Sequence, residues 1–261
     1  MYRLLTICLI LSAVIFINSD SSATESVKTN EIIIVENDWP PFFFGRTQNE
    51  LPGFAKEVLT TCVSEIGYKP IFKFFPIKRM FVYLESGEVD LAIFSYKKKR
   101  ESFLHYGKTP LFTSSYRPVV KKDSEIDIKN LQDFNNLRLG HLAGLSYSPE
   151  YLKYIENRRK DGTLITTTTG ESNLKMLLEG IIDIYVGTRE PELWHAKQSG
   201  TLDQIKILDF DIKTSEYFVT ASRKSPRIAS KDEFLDLLDQ CLQSLQSTTQ
   251  YHDIAIQYGI Q

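Results

Sequence analysis

After residue 30 the chain alternates short apolar runs with segments whose apolar residues recur every three or four positions. The run EIIIVEN at 31–37 predicts a buried strand. The next segment, FAKEVLTTCVSEIG, has helical spacing and ends at Gly67, a common helix stop. A strand, a helix and a strand follow as KPIFKFFP, IKRMFVYLESG and VDLAIFS. This β-α-β-α-β order is typical of a parallel sheet covered by helices.

The same order of elements recurs over residues 137–188. The predicted elements are the strand LRLGHLA, the helix SYSPEYLKYIENRR, the strand TLITTTT, the helix ESNLKMLLEG and the strand IDIYVGT. The pattern L-x-x-G-x-[VI]-D-[LI]-x-[IV]-x-[ST] occurs at both 84–95 and 177–188. We interpret Asp90 and Asp183 in this pattern as structural residues that fix the turn into each strand. A motif that recurs at the same place in two blocks indicates two similar lobes.

The segments outside these blocks complete the predicted fold. SSYRPVVKKDSEIDIKNLQDF and EYFVTASRKSP are rich in β-forming residues and are expected to cross between the lobes. The C-terminal segment predicts two helices that pack on the first lobe. The expected fold is α/β, with two Rossmann-like lobes joined by two crossing strands and a ligand cleft between them. The expected boundaries are 24–118 for the first part of lobe 1, 119–216 for lobe 2, and 217–261 for the return to lobe 1.

Strand ends predict where a ligand would bind. In open parallel sheets ligands lie beyond the carboxyl ends of the strands, and two lobes can bring such ends face to face. We therefore expect one cleft to include the loop after Asn37, Ser95 and the residues after it, Thr188 and the residues after it, and the turn at 140–146.

The N-terminus reads MYRLLTICLILSAVIFINSDSSATES. Arg3 precedes an apolar core that has signal-peptide length and is short for a membrane span. We predict a signal peptide over 1–23, cleaved after Ala23, and a soluble mature protein in the periplasm. The alternative is an uncleaved N-terminal anchor. Cys8 lies too early in the chain, and inside the apolar core, for a lipoprotein.

Composition narrows the classes of function. The chain has 261 residues, of which 42% are hydrophobic and 25% charged, with a formal net charge of −2. This balance is typical of a globular protein and argues against both disorder and a dedicated nucleic-acid binder. We therefore interpret Lys97, Lys98 and Lys99 as a solvated loop rim.

Cysteine and histidine positions suggest neither a metal nor another cofactor. Three cysteines and four histidines show no metal-ligand spacing. Cys62 and Cys241 remain after cleavage, both in helical patterns. An oxidising compartment permits a disulfide between them, but two buried free thiols are the expected state.

The order of several short segments resembles a known family. These segments are WPPF, LPGFAKEVL, YLESGEVDLAI, KKKRESFLHYGKTPLF, LRLGHLAGLSY, LLEGIIDIYV and YHDIAIQYGI. Together they resemble the periplasmic solute-binding proteins of amino-acid ABC transporters, the family 3 extracellular solute-binding proteins with the type II periplasmic binding fold. The resemblance covers nearly the whole mature chain. It implies two lobes that close around a ligand by hinge motion.

The resemblance also implies roles for individual residues. Arg100 occupies the place of an arginine that grips the ligand carboxylate, a task for which a planar guanidinium suits better than a lysine. Ser95 matches a position that hydrogen-bonds the ligand, and Trp39 matches an aromatic that stacks on it. Gly144 and Ser146 match a turn whose N–H groups and hydroxyl bind the same anion.

One position departs from the family. Amino-acid binders carry an Asp just after the second-lobe strand, where it pairs with the ligand's α-ammonium, and this chain has Thr188 there. Glu190 could take its place only if the loop were shifted. Arg79 is a further candidate near the cleft. Two arginines without the usual Asp suggest an acidic or dicarboxylate-like solute.

The leading hypothesis is a non-enzymatic, monomeric binding protein that captures a small polar, carboxylate-bearing solute for an inner-membrane ABC permease. One alternative is a periplasmic enzyme of the dehydratase type on the same fold, with His141 as its candidate acid or base. The other alternative is a receptor that presents its liganded form to a membrane sensor. The sequence does not separate transport from sensing.

Overall fold

A computed structural model describes residues 30–45, 51–143 and 147–260. The predicted signal peptide and the predicted contacts of Gly144 and Ser146 lie outside these residues. The strands are Glu31–Glu36 (β1), Asp38–Trp39 (β2), Phe43–Phe44 (β3), Lys69–Phe74 (β4), Leu91–Ser95 (β5), Leu104–Lys121 (β6), Leu139–Leu142 (β7), Leu164–Thr167 (β8), Ile184–Thr188 (β9), Ile205–Ile207 (β10) and Lys213–Ser222 (β11). The α-helices are Phe54–Glu65 (α1), Ile77–Ser86 (α2), Pro149–Lys160 (α3), Gly170–Leu178 (α4), Arg189–Gln198 (α5), Lys231–Gln246 (α6) and Thr249–Gln257 (α7).

The main sheet has nine strands in the order β4-β1-β5-β11-β6-β9-β7-β8, with β10 paired to β6. β1 is parallel to β4 and β5, and β7 is parallel to β8 and β9. β6 and β11 lie between these two groups and are antiparallel to their neighbours. The expected α/β fold is confirmed, with two β-α-β-α-β units joined through two long strands.

The aspartates of the repeated motif make the same pair of hydrogen bonds to the backbone in both units. The backbone N–H of Asp90 donates to the carbonyl oxygen of Ile33 at 2.9 Å, and the N–H of Ile33 donates back to the Asp90 carboxylate at 2.7 Å. Asp183 and Arg138 repeat this exchange, again at 2.9 and 2.7 Å. Each aspartate therefore ties the start of its strand to the neighbouring parallel strand, as the structural interpretation predicted.

β6 begins ten residues earlier than the β-rich segment in the sequence suggests. Pro110 interrupts the apparent strand pattern, and it lies where the pairing with β11 shifts register. The freed backbone N–H groups of Lys108 and Thr109 donate to the carboxylate of Asp239 on α6, at 2.8 and 2.9 Å. A proline is tolerated at such an irregularity because the ladder needs no donor there.

The expectation of free thiols is wrong. Cys62 on α1 and Cys241 on α6 form a disulfide with a Cα–Cα distance of 5.6 Å. Both residues are buried in the core where the C-terminal helices pack against α1. The two positions are 179 residues apart, so only their approach in the fold reveals the pairing. No described helix has both the length and the apolar character needed to cross a membrane.

Candidate functional site

A cavity of about 290 Å³ opens at the carboxyl ends of β1 and β5. Asn37 follows β1 and Ser95 ends β5, so the cavity occupies the place where parallel strands leave room for a ligand. Its size suits a small solute. It is lined by Val35, Asn37, Trp39, Phe43, Met80, Phe81, Ile93, Phe94, Ser95, Lys97, Arg100, Tyr116 and Tyr217.

Arg100 lies in the short 3₁₀ turn Lys98–Ser102 that follows β5. Its Nη1–H donates to the carbonyl oxygen of Ser95 at 3.0 Å. Its guanidinium carbon lies 4.5 Å from the ring centroid of Phe94 and 5.5 Å from that of Phe81. These contacts hold the guanidinium over an aromatic surface at the cavity wall, which limits its freedom before any ligand binds.

Four further aromatic residues line the cavity, namely Trp39, Phe43, Tyr116 and Tyr217. The ring centroids of Trp39 and Tyr217 lie 4.9 Å apart in an edge-to-face arrangement. Tyr217 comes from β11 and Tyr116 from β6, the two strands that join the parallel groups. The sequence identified Trp39 but not the two tyrosines. In the sequence, only the position of these tyrosines within segments expected to cross between the lobes indicated that they could lie near a cleft.

The cavity carries positive charge. Lys97 and Arg100 line it, and Lys213 pairs in register with the cavity residue Tyr116. Burial lowers the pKa of Lys97, and the nearby charges of Arg100 and Lys213 lower it further. Burial and the charge of Arg100 likewise lower the pKa of Lys213. Lys97 is partly buried and lines the cavity, whereas Lys98 and Lys99 are exposed as expected.

The structure brings Trp39, Ser95 and Arg100 together around one cavity, but it does not add Arg79 or Thr188 to the lining. Arg79 is exposed on α2, because its neighbour Met80 faces the cavity and consecutive helical residues point about 100° apart. Thr188 is buried at the end of β9, where it pairs in register with Tyr116. It therefore lies beside the cavity without lining it.

Two buried carboxylates follow Thr188 on α5. The carboxylate of Glu190 accepts a hydrogen bond from the hydroxyl of Ser114 and lies 3.5 Å from the guanidinium of Arg189. Glu192 accepts a hydrogen bond from the hydroxyl of Tyr185 at 2.6 Å. Burial raises the pKa of Glu192 to about 7, although the Tyr185 hydrogen bond opposes this rise. Neither carboxylate lines the cavity beside Arg100.

His141 is buried on β7 and does not line this cavity. Burial lowers its pKa, which favours the neutral imidazole. Within the described residues its Nδ1 atom has no hydrogen-bond partner. In the same part of the chain no three His, Cys, Asp or Glu side chains cluster with the geometry of a metal site.

The sequence and the fold both match known proteins. Residues 32–261 match the bacterial extracellular solute-binding proteins, family 3. The L-cystine-binding protein TcyJ of Escherichia coli (strain K12) is 27% identical over 142 residues, which cover 52% of each chain. In that match the chain spans about half the length of the curated relative.

Two solved structures illustrate the likeness in fold. The probable amino-acid ABC transporter extracellular-binding protein ytmK of Bacillus subtilis has a TM-score of 0.70 at 15% identity, over 88% of this chain and 98% of that one. A histidine kinase sensor domain with similarity to periplasmic binding proteins has a TM-score of 0.64 at 21% identity, over 87% of this chain and 95% of that one. At these identities the two likenesses show a shared fold.

Proposed function

The chain belongs to the bacterial extracellular solute-binding proteins of family 3, and we propose that it captures a small carboxylate-bearing solute beside Arg100. One observation carries this proposal: Arg100 lines the cavity with Ser95 and is held there by Phe94. A guanidinium fixed on one side by a ring and a carbonyl still presents N–H groups that can pair with two carboxylate oxygens at once.

The other predicted residues have complementary roles. The hydroxyl of Ser95 accepts or donates one hydrogen bond to the solute, and Trp39 covers its apolar part. Gly144 and Ser146 supply a second anion contact from the opposite lobe. Residues 24–118 with 217–261 form one lobe and residues 119–216 the other, and they close around the solute by a hinge in the two long strands.

We propose a cellular role that agrees with membership of this family. The chain is exported by cleavage after Ala23, acts as a monomer in the periplasm, and delivers its solute to an inner-membrane ABC permease. TcyJ is named as a cystine-binding protein and ytmK as part of an amino-acid transporter, which supports an amino-acid-like or organic-acid solute. The binding-protein relatives also support a non-enzymatic role.

The test is to identify what the protein carries. We expect native mass spectrometry of protein purified from the periplasm to show a bound small molecule that is released on unfolding. Calorimetry should then show rebinding of that molecule at one site per chain, and Arg100→Ala should abolish it. A protein that binds no small molecule, or an Arg100→Ala variant that binds normally, would contradict the proposal.

A sensory role is a second candidate, because the fold is shared with a histidine kinase sensor domain. Deletion of the gene separates the two roles. Loss of uptake of the bound solute, with solute-dependent gene expression unchanged, supports transport. Loss of the transcriptional response with uptake unchanged supports sensing.

A further inference from the structure

The hairpin formed by β2 and β3 has different neighbours on its two sides. Trp39 of β2 and Phe43 of β3 are paired in register, and both line the cavity beside Arg100. Consecutive residues of a strand point to opposite sides. Phe44 accordingly points away from the cavity and meets the ring of Trp194 on α5, with 5.2 Å between the ring centroids. The hairpin therefore lies between the cavity and α5.

Trp194 belongs to one β-α-β-α-β unit but packs in the core of the other. Its helix α5 follows β9, in the unit that contains β7 and β8. Trp194 is only 7% exposed, and it is buried in the core that α1, α6 and α7 form on the sheet. Among the described residues, it is the one buried member of this core that comes from residues 119–216. The contact therefore joins the two units.

Tyr258 of α7 completes this contact. Its ring centroid lies 6.4 Å from that of Trp194 and 6.3 Å from that of Phe44. Its hydroxyl accepts a hydrogen bond from the backbone N–H of Gly53 at 3.0 Å and donates to the carboxylate of Glu57 at 2.5 Å. These bonds tie Tyr258 to the start of α1, so Phe44 and Trp194 pack against a ring that is held in place.

Helix α5 is also tied to one of the two long strands that join the units. Glu190 and Trp194 are four residues apart on α5, a spacing that places both on one face of a helix. The carboxylate of Glu190 accepts a hydrogen bond from the hydroxyl of Ser114 on β6. A movement of β6 that changes the angle between the units would therefore move α5, and Trp194 would carry that movement to the hairpin.

The two ends of the hairpin have different supports. Phe42, at the turn, stacks on Phe112 with 3.8 Å between the ring centroids, and this contact anchors the turn. Phe44, on β3, has its ring contacts with Trp194 and Tyr258 instead. Loss of the Trp194 ring would leave a space beside Phe44, into which the surrounding groups can shift. β3 would then be free to move at the cavity wall.

From these contacts we infer that Trp194 is a positioning residue for the solute site. It seats the hairpin that supplies part of the aromatic wall, and it transmits the movement of one unit to that wall. Trp194 does not line the cavity itself. This inference rests on the proposed function, since it concerns solute binding in the same cavity.

Fluorescence tests the inference, because Trp39 and Trp194 are the two tryptophans of the chain. Trp194→Ala and Trp194→Phe each leave Trp39 as the single tryptophan. We expect acrylamide to quench Trp39 more strongly in Trp194→Ala than in Trp194→Phe, with emission at longer wavelength, because only phenylalanine keeps a ring against Phe44. If Trp194→Ala does not fold, Trp194→Leu takes its place.

The control separates positioning from a general loss of stability. Leu177→Ala, added to Trp194→Phe, truncates a fully buried side chain of α4 in a different core. It should lower the free energy of unfolding and leave the quenching of Trp39 unchanged.

Calorimetry with L-arginine, L-glutamine, L-glutamate and L-cystine measures the effect on affinity. For an amino acid that the wild type binds, Trp194→Ala should weaken binding about two- to thirtyfold, the range for residues that modulate a site without contacting its ligand. Trp194→Phe should restore most of this loss. In Trp39→Phe, the emission of Trp194 should change when the same amino acid binds, although Trp194 lies outside the cavity.

The outcomes separate this inference from the proposed function. Equal quenching of Trp39 in Trp194→Ala and Trp194→Phe overturns the inference, and so does a similar rise in quenching on adding Leu177→Ala. Unchanged affinity in Trp194→Ala overturns it as well and leaves the proposed function intact. If none of the four amino acids binds, the quenching comparison alone decides the positioning of the hairpin. A purified protein that carries no small molecule contradicts the proposed function, whatever the quenching shows.

Discussion

Arg100 donates an N–H to the backbone carbonyl of Ser95 at 3.0 Å, across the turn that joins β5 to the 3₁₀ segment. This bond places the guanidinium and the Ser95 side chain at the same strand end. A guanidinium is often held in place by a salt bridge. Here the neutral carbonyl of Ser95 and the ring of Phe94 hold it instead. Within the described residues, the positive charge of Arg100 is therefore oriented without a salt bridge.

Arg100→Lys should weaken solute binding although it keeps the charge. A lysine ammonium cannot form two parallel bonds to a carboxylate and cannot lie flat on the Phe94 ring. We expect an affinity loss of about 1.5–3 kcal/mol, the range for hydrogen bonds to charged groups. Calorimetry with the co-purified solute measures this loss. Unchanged affinity in Arg100→Lys would show that Arg100 acts only as a point charge or lies outside the site.

Glu192 should make stability fall as pH rises. Burial raises its folded-state pKa from 4.5 to about 7, so the unfolded chain loses this proton first. The contribution of Glu192 to stability is therefore greatest below about pH 4.5, falls through the interval up to about 7, and levels off above it. A shift of this size corresponds to about 3 kcal/mol.

Glu192→Gln should remove this pH-dependent loss, because the amide stays neutral and can still accept from Tyr185. Urea unfolding at several pH values measures the difference between variant and wild type. Tyr185→Phe is the matched control. The Tyr185 hydrogen bond opposes the rise in the Glu192 pKa, so its loss should move the interval to higher pH. Parallel pH curves for Glu192→Gln and wild type would contradict the assignment.

The disulfide should stabilise the fold without changing the affinity for the solute. It closes a loop of 179 residues, and loops of this order lose chain entropy worth about 3–5 kcal/mol in the unfolded state. The double substitution of Cys62 and Cys241 by Ala should lower the free energy of unfolding by this order and leave solute affinity nearly unchanged. Urea unfolding of the wild-type protein with and without a reductant provides the control. A variant as stable as wild type, or a large change in affinity, would contradict this account.

The sequence predicted those parts of the fold that local patterns encode. The repeated motif around Asp90 and Asp183 identified two equivalent strand starts, because each aspartate acts within its own unit. Ser95 could be found because it ends a predicted strand, whereas Arg100 was identified through the family resemblance of the segment that follows. Such features depend on neighbours in the chain.

Features that depend on distant segments were missed or misjudged. Lys97 looked like part of a solvated run, but it is partly buried and lines the cavity, where Lys213 of β11 lowers its pKa. The early start of β6 was missed because Pro110 interrupts its strand pattern in the sequence. The structure tolerates the resulting shift in β6–β11 register because Asp239 of α6 accepts the N–H groups freed beside it. Neither α6 nor β11 is near these residues in sequence.

The two motif aspartates should differ in their contribution to stability, although their backbone bonds are alike. Asp90 is fully buried and also accepts from the hydroxyl of Ser225 at 2.6 Å and from Arg227 at 3.2 Å. Asp183 keeps 27% of its side chain exposed, and its partner Arg138 keeps 56%. Water can therefore replace the Asp183 carboxylate, whereas of the groups bonded to Asp90 only the partly exposed Arg227 can be hydrated in its place.

Asp90→Ala should lower the free energy of unfolding by about 3–5 kcal/mol, because it leaves buried donors and a cation without their acceptor. Asp183→Ala should cost less, about 1–2 kcal/mol, since exposed ion pairs contribute little and the freed donors become hydrated. Urea unfolding at pH 7 measures both, with each variant acting as the control for the other. Equal costs would mean that the shared backbone bonds, and not the burial of the carboxylate, determine what each aspartate contributes.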